Sequence, residues 1–387
     1  MNMAFFRASW RGLAGAAVLC ALACTLAACG GGSKTMMGSS SGVVVSCTPG
    51  AIVPDGTAQC TAKVQSSSNS MFIWSASGGT ISSSGLFTAP ATVGNVTITA
   101  TAQNVSASGT AVVSVQLQLP ATKHVVLVME ENQEYSTVVG NATDWPNLNK
   151  LIANGALASN YYADSHPSIG NYFMLTTGQL QTTNDSSTAV FNTDSIARRM
   201  LSANASFKVY AEGITQGYLG GNTGLYVIRH NPFAMLSDVA DSQTVANTVI
   251  QPFAQFQADA ANNALPEYSF IVPDIDDDAH SGTQAQADNW LQTNVVTPLA
   301  GTKAFQPGGD GVLIVDFDEG AVTDTTHGGG QVAAVFWGPP VQAGYTQKSS
   351  VLYQHENMLA TVMGLLGLQI PPGNAASAQT MAEFFAQ

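Results

Sequence analysis

Beyond Leu119 the chain alternates apolar runs of strand length with segments spaced like helices, and this alternation limits the fold more than any other feature. HVVLVME (124–130), ASFKVYAEG (205–213), EYSFIVPD (267–274), GVLIVDFDE (311–319) and QVAAVFWGP (331–339) read as strands. WPNLNKLIANGA (145–156), with Gly155 as its stop, TQAQADNWLQTNVVTPLA (283–300) and YQHENMLATVMGLLGL (353–368) read as helices. Near-continuous apolar strands are those buried on both faces, so the pattern predicts an α/β fold with a mainly parallel sheet flanked by helices. Ligands of such sheets gather at the carboxyl ends of the strands.

Four polar clusters stand in this part of the chain, most of them at such an end. Glu130, Glu131 and Asn132 close the first run, and NYYADSHPSIGNY supplies Ser165, His166, Ser168 and Asn171. PDIDDDAHSG supplies Asp274, Asp276, Asp277, Asp278 and His280, and DFDEG supplies Asp316, Asp318 and Glu319, followed by His327 in HGGG. Carboxylates this dense beside a buried strand need a counter-charge. Oxygen donors with a few imidazoles, and no thiol after Cys60, suit a hard or borderline divalent metal ion. DIDDDAH lacks the glycine and terminal Glu spacing of an EF-hand loop.

A helix beginning just after Pro167 puts Ser168 at its N-terminus, where free backbone amides accept a phosphate, with Asn171 on the same face. A serine attacks only when its proton is withdrawn, and a bound metal does that by stabilising the alkoxide. Ser165 is the rival nucleophile.

In order along the chain, VVLVMEENQEY, SHPSIGNYFMLTTG, YVIRHNPF, PDIDDDAHSG and DFDEG...HGGG resemble the phosphoesterase family that contains acid phosphatases and bacterial phospholipases C, within the alkaline phosphatase superfamily. The resemblance runs from about Lys123 to Phe385. It implies an alkaline-phosphatase-like sheet, hydrolysis of phosphate esters and a phosphoserine intermediate on Ser168. By the same resemblance Glu131, Asn132, Asp318 and Glu319 are metal ligands and Asn171 holds the phosphate. Asp278, Asp274, His280 and His327 correspond to the part that binds a second metal ion or contacts the phosphate directly. His280 or His327 then protonates the leaving oxygen, and His166, Arg229 and His230 are candidates for substrate binding. Acid-phosphatase-type monoesterase and phospholipase C-like diesterase both remain open. A sulfatase is disfavoured, since SHPSI carries no Arg where the C/S-x-P-x-R motif needs one.

The first 28 residues read as an export signal: Arg7 and Arg11 without an acid, a short apolar core, then LAAC. The ending resembles a bacterial lipobox, which implies lipidation of Cys29, a membrane anchor and residence at the outer membrane, on its periplasmic face or at the cell surface. Residues 29–42 read as a Gly/Ser tether. Residues 43–119 hold short alternating runs with turn signals and resemble a bacterial immunoglobulin-like sandwich, with Trp74 in its core and Cys47 paired to Cys60. The catalytic part is 120–387. Acids outnumber bases 25 to 12, for a formal charge of -13, and no long Lys/Arg cluster appears, so nucleic acid is not an expected partner. A noncatalytic surface protein is the competing class.

Overall fold

The computed structural model describes residues 42–65, 71–103 and 106–387. The export signal, Cys29 and nearly all of the tether lie outside the described residues. Among those described, no helix is long and apolar enough to cross a membrane.

Eight strands form an N-terminal all-β unit: β1 (Val43–Thr48), β2 (Ala51–Ile52), β3 (Thr57–Val64), β4 (Phe72–Ala76), β5 (Thr80–Ile81), β6 (Leu86–Thr88), β7 (Gly94–Ala102) and β8 (Ser108–Val115). They pair as two four-stranded sheets, β1-β3-β6-β5 and β2-β8-β7-β4. Alternation along β3 and β7 turns Ala58, Cys60, Val96 and Ile98 into a core of their own around Phe87. Cys47 and Cys60 face each other in the β1–β3 register and are bonded, as expected. Trp74 departs from expectation. It lies on β4, an edge strand, and is half-buried against the core rather than inside it.

The rest of the chain builds one eight-stranded sheet. Its strands are β9 (His124–Glu130), β10 (Ala156–Ala158), β11 (Phe207–Ala211), β12 (Ile250–Pro252), β13 (Tyr268–Val272), β14 (Gly311–Phe317), β15 (Ala334–Trp337) and β16 (Tyr345–Thr346), in the order β12-β11-β13-β9-β14-β15-β10-β16. The first five in that order run parallel, β15 is antiparallel to both of its neighbours, and β10 and β16 are parallel. Every residue of β13 and β14 is buried, which only a sheet covered on both faces allows.

Helices α1 (Tyr135–Val138), α2 (Pro146–Asn154) and α3 (Ile169–Thr177) follow β9 and β10. α2 starts with Pro at its first turn and stops at Gly155, as the sequence implies. α3 ends on Gly178 at φ 64, the left-handed conformation glycine adopts without a steric cost, and the Gly178 N–H closes on the Met174 carbonyl.

Register positions the site. β14 pairs with β9 so that Phe317 lies beside Glu130, and the Asp318 N–H donates to the Glu130 carbonyl at 3.1 Å. β13 flanks β9 on its other side, and the Glu131 N–H reaches the Asp278 carbonyl at 2.8 Å. MEEN, DFDEG and DIDDDAH thus meet where strand order changes direction around β9, the crevice in which such sheets bind ligands.

Candidate active site

Ser168 caps α3, and Tyr172 follows one turn later on the same face. Both hydroxyls reach Glu131: Ser168 Oγ donates to Oε2 at 3.0 Å and Tyr172 to Oε1 at 2.6 Å. Asn132, at φ 54, turns the chain sharply after Glu131 in a conformation Asn tolerates. Its side-chain amide donates to Glu131 Oε2 at 2.8 Å and its backbone N–H to Asp318 Oδ1 at 2.9 Å. Glu131, Asn132, Ser168 and Asp318 are therefore linked by direct hydrogen bonds, with Glu319 next in the chain.

Charge in this cluster is unevenly compensated. Burial alone would push the Glu131 carboxyl up, but His230 and the Tyr172 hydroxyl outweigh it and hold the group at about 2. His230 is buried, stacked on Tyr172 at 5.1 Å, with Nε2 2.9 Å from Glu131 Oε1 and Nδ1 3.1 Å from Asp278 Oδ2. Burial pulls its pKa down, yet the two carboxylates raise it to about 9. Glu131, His230 and Asp278 have ligand atoms within 4.8 Å of one another, and an imidazolium there bridges the two acids and offsets one of their two charges. The other side lacks such a partner. Asp318 is buried, Oδ2 has no hydrogen-bond partner, and burial followed by Glu131 and Glu319 pushes its pKa well up. Burial, opposed by His166, leaves Glu319 at about 7. Unpartnered buried carboxylate oxygen beside further oxygen donors is the setting a divalent cation fits, and Glu131, Asn132, Asp318 and Glu319 are the residues to hold it.

Several assignments made from the motifs change. The His166 ring lies between Glu319 Oε2, 3.0 Å from Nδ1, and the Asp324 carbonyl, 2.9 Å from Nε2, so both of its nitrogens are engaged and it orients the Glu319 carboxylate. Asn171 is fully buried. Its carbonyl accepts from the Asp164 and Ser165 N–H groups and its amide donates to the Ser165 carbonyl, so it braces the loop before Ser168. Asp274 stands apart, with Glu212 and Asp277, because the chain beyond β13 turns it toward the end of β11, where Glu212 accepts its N–H. His327, at φ 55, is exposed and packs edge-on against Tyr162 at 4.5 Å, on the loop beyond Glu319 whose Gly328 and Gly329 back onto Asp164 and Ser165. Ser165 Oγ is buried without a partner and points at Gly170, whose missing Cβ would lie 2.3 Å away; only the Ser168 hydroxyl of the two reaches Glu131.

His280 and Arg229 do come together at the mouth of the cluster. Ala279, at φ 69, reverses the chain so that buried Asp278 is followed at once by an exposed imidazole. His280 Nε2 lies 3.1 Å from Arg229 Nη2, and burial together with the charges of His230 and Arg229 outweighs the nearby acids to lower its pKa.

Sequence reasoning missed Tyr172 and His355. Tyr172 was findable, four residues beyond Ser168 on a helix. His355 comes from the helix His355–Leu365, where only a polar residue opening an apolar helix marked it. Its Nδ1 lies 3.0 Å from Asp164 Oδ2 and its Nε2 3.2 Å from the Phe317 carbonyl. Both partners accept, so both ring nitrogens donate and the ring is an imidazolium; burial opposes this, but Asp164 and Asp316 raise its pKa to about 9. It ties the nucleophile loop to the end of β14. Asp316 belongs to this support, accepting from the Tyr161 hydroxyl at 2.9 Å. His355→Asn should cost about 3 kcal/mol of stability in denaturant unfolding, the scale for leaving a buried partner unpaired; a loss below about 1 kcal/mol would contradict the clamp.

A serine hydroxyl held at a helix N-terminus against buried acids lies at the switch point of a parallel sheet, the place where such folds bind ligands. The Phosphoesterase family model matches residues 141–369, and the chain belongs to that family, whose members hydrolyse phosphoric ester bonds. The phosphatidylinositol-3-phosphatase of Mycobacterium tuberculosis is 31% identical over 254 residues, 65% of this chain and 79% of that protein. The phosphate-repressible acid phosphatase of Penicillium chrysogenum is 32% identical over 182 residues, 45% of this chain and 43% of that one, so the chain spans less than half of that relative. Among solved structures, a protein in the alkaline phosphatase superfamily from Vibrio parahaemolyticus superposes with a TM-score of 0.44 and 15% identity, over 69% of this chain and 71% of that one.

Proposed function

We propose that the chain is a metal-dependent phosphatase of acid phosphatase type that works through a phosphoserine on Ser168. The observation that carries this is the Ser168 Oγ to Glu131 hydrogen bond beside the unpartnered carboxylate of Asp318. Glu131, Asn132, Asp318 and Glu319 would hold a divalent cation, which when bound would supply positive charge beside the serine oxygen and the phosphoryl oxygens. Ser168 Oγ attacks phosphorus in line, its proton leaves along the hydrogen bond toward Glu131, and the bond to the leaving oxygen breaks. Arg229 faces the nonbridging oxygens, and His280, exposed at the mouth, protonates the leaving oxygen in the fraction of molecules whose ring is protonated, a fraction that grows as pH falls because its pKa is lowered. Water, deprotonated by His280, then attacks phosphorus; the bond to the serine oxygen breaks, that oxygen takes back the proton held toward Glu131, and phosphate is released. Export and a lipid anchor at Cys29 are part of the same reading and place the enzyme outside the cytoplasm, against a membrane.

The test is hydrolysis of a chromogenic phosphomonoester before and after chelation, with single metals added back. Loss on chelation and recovery with one metal supports the reading. Full activity in protein shown to be free of metal would refute it.

A further inference from the structure

Asp185 belongs to none of the motifs and lies between α3 and the helix Ile196–Ala203, in a turn closed by the Ser187 N–H on the Asn184 carbonyl at 2.8 Å. Its carboxylate points back to the nucleophile. Oδ1 accepts the Ile169 N–H at 3.1 Å, the first amide of α3 and the residue after Ser168. Oδ2 lies 3.7 Å from Nε of Arg229, a nitrogen that is buried and has no hydrogen-bond partner, and Arg229 Nη2 in turn touches His280. The helix N-terminus and a guanidinium, the latter backed by an imidazole and each suited to a phosphoryl group, therefore converge on a negative charge that the chain itself provides.

We propose that Asp185 is a specificity-determining residue that biases the site toward phosphoryl groups carrying a single negative charge. Such groups are phosphodiesters at any pH and phosphomonoesters below their second ionisation at ~6. The proposal rests on Ser168 being the nucleophile. The charged groups facing Asp185 are the α3 N-terminus, Arg229 from the turn Ile228–His230, His280 after β13 and Glu319 after β14. Arg229 and the helix end, about half a positive charge, are shared between Asp185 and any incoming phosphoryl group. A dianion beside a fixed carboxylate meets like-charge repulsion that a monoanion meets only half as strongly.

The bland alternative is that Asp185 merely caps α3. Asp185→Asn separates the two, because its side-chain carbonyl still accepts the Ile169 N–H while the charge is gone. In the full chain loaded with metal, two quantities are read at about pH 8, where a monoester is a dianion. One is kcat/KM for p-nitrophenyl phosphate and for bis(p-nitrophenyl) phosphate; the other is the calorimetric Kd of inorganic phosphate and of dimethyl phosphate. The monoester-to-diester ratio should rise about tenfold and phosphate should bind about tenfold tighter, with dimethyl phosphate unchanged within about twofold. Asp185→Glu, which keeps the charge, should leave the ratio near wild type, and Asp185→Ser provides a second uncharged variant should the first misfold. An unchanged ratio and unchanged phosphate affinity, or parallel losses on both esters, would overturn the proposal. If the wild type hydrolyses neither ester, the Ser168 reading fails, and the two binding constants still decide the charge bias.

Discussion

Ser168→Ala should abolish turnover of phosphate esters, with kcat falling by at least about 10⁴-fold, while bound metal stays at the wild-type stoichiometry. The size follows from losing a covalent nucleophile outright, which no neighbour replaces. Ser165 is no substitute, since its hydroxyl points at Gly170 and away from Glu131. Metal retention follows from the four other oxygen-bearing residues, Glu131, Asn132, Asp318 and Glu319, which the substitution leaves in place. Steady-state kinetics with metal counted on the same sample checks both halves. A variant within about tenfold of wild type would move the nucleophile elsewhere.

The second large effect concerns Asp318. Asp318→Asn should lower bound metal and, with it, nearly all activity. In chelated protein the same substitution should raise Tm near pH 8, because it removes one of the acids that repel each other there. The sign comes from the buried acids. Glu319 rises from 4.5 to about 7 and Asp278 from 3.8 to about 6, in both cases chiefly through burial, and Asp318 is raised as well. A carboxyl whose folded pKa is raised adds stability that is complete below its unfolded value and is lost as pH climbs through the folded one. Chelated wild-type protein should therefore lose on the order of 2 kcal/mol between about pH 4.5 and 7, after discounting the partly exposed Glu319. Glu131, held at about 2, acts oppositely, but its window lies below that range. Metal should remove the part of the slope that comes from Asp318 and Glu319 by binding them ionised, while Asp278, Asp316 and Glu212, outside that ligand set, keep theirs. Thermal melts across this range, with and without chelator, make the comparison. Equal slopes, or an Asn variant with wild-type metal content, would contradict the assignment.

The central sheet was legible because β9, β13 and β14 are buried on both faces and so read as unbroken apolar runs. β10, β12 and β16, of two or three residues each, carry too few side chains to show a period. Glu131, Ser168, Asp318 and Glu319 stood out because each ends a strand or opens a helix, where chemistry and local pattern coincide. His230 was visible in RHNPF, but its place between two acids depends on segments about 100 residues away on one side and nearly 50 on the other, which spacing does not encode. The same holds for His355 and Asp185, whose partners are assembled only by the fold. Asp274 and His327 show the converse: their motifs are acidic or glycine-rich enough to suggest ligands, and the turn after β13 groups Asp274 with Glu212 and Asp277 while the one after β14 leaves His327 exposed against Tyr162.

The claim of a phosphoserine on Ser168 is tested most directly by the stereochemistry at phosphorus. Transfer from an isotopically chiral phosphomonoester to an alcohol acceptor compares the configuration of substrate and product. Two in-line displacements, first by Ser168 and then by the acceptor, predict retention. Inversion would mean a single direct displacement, and the covalent account would fall.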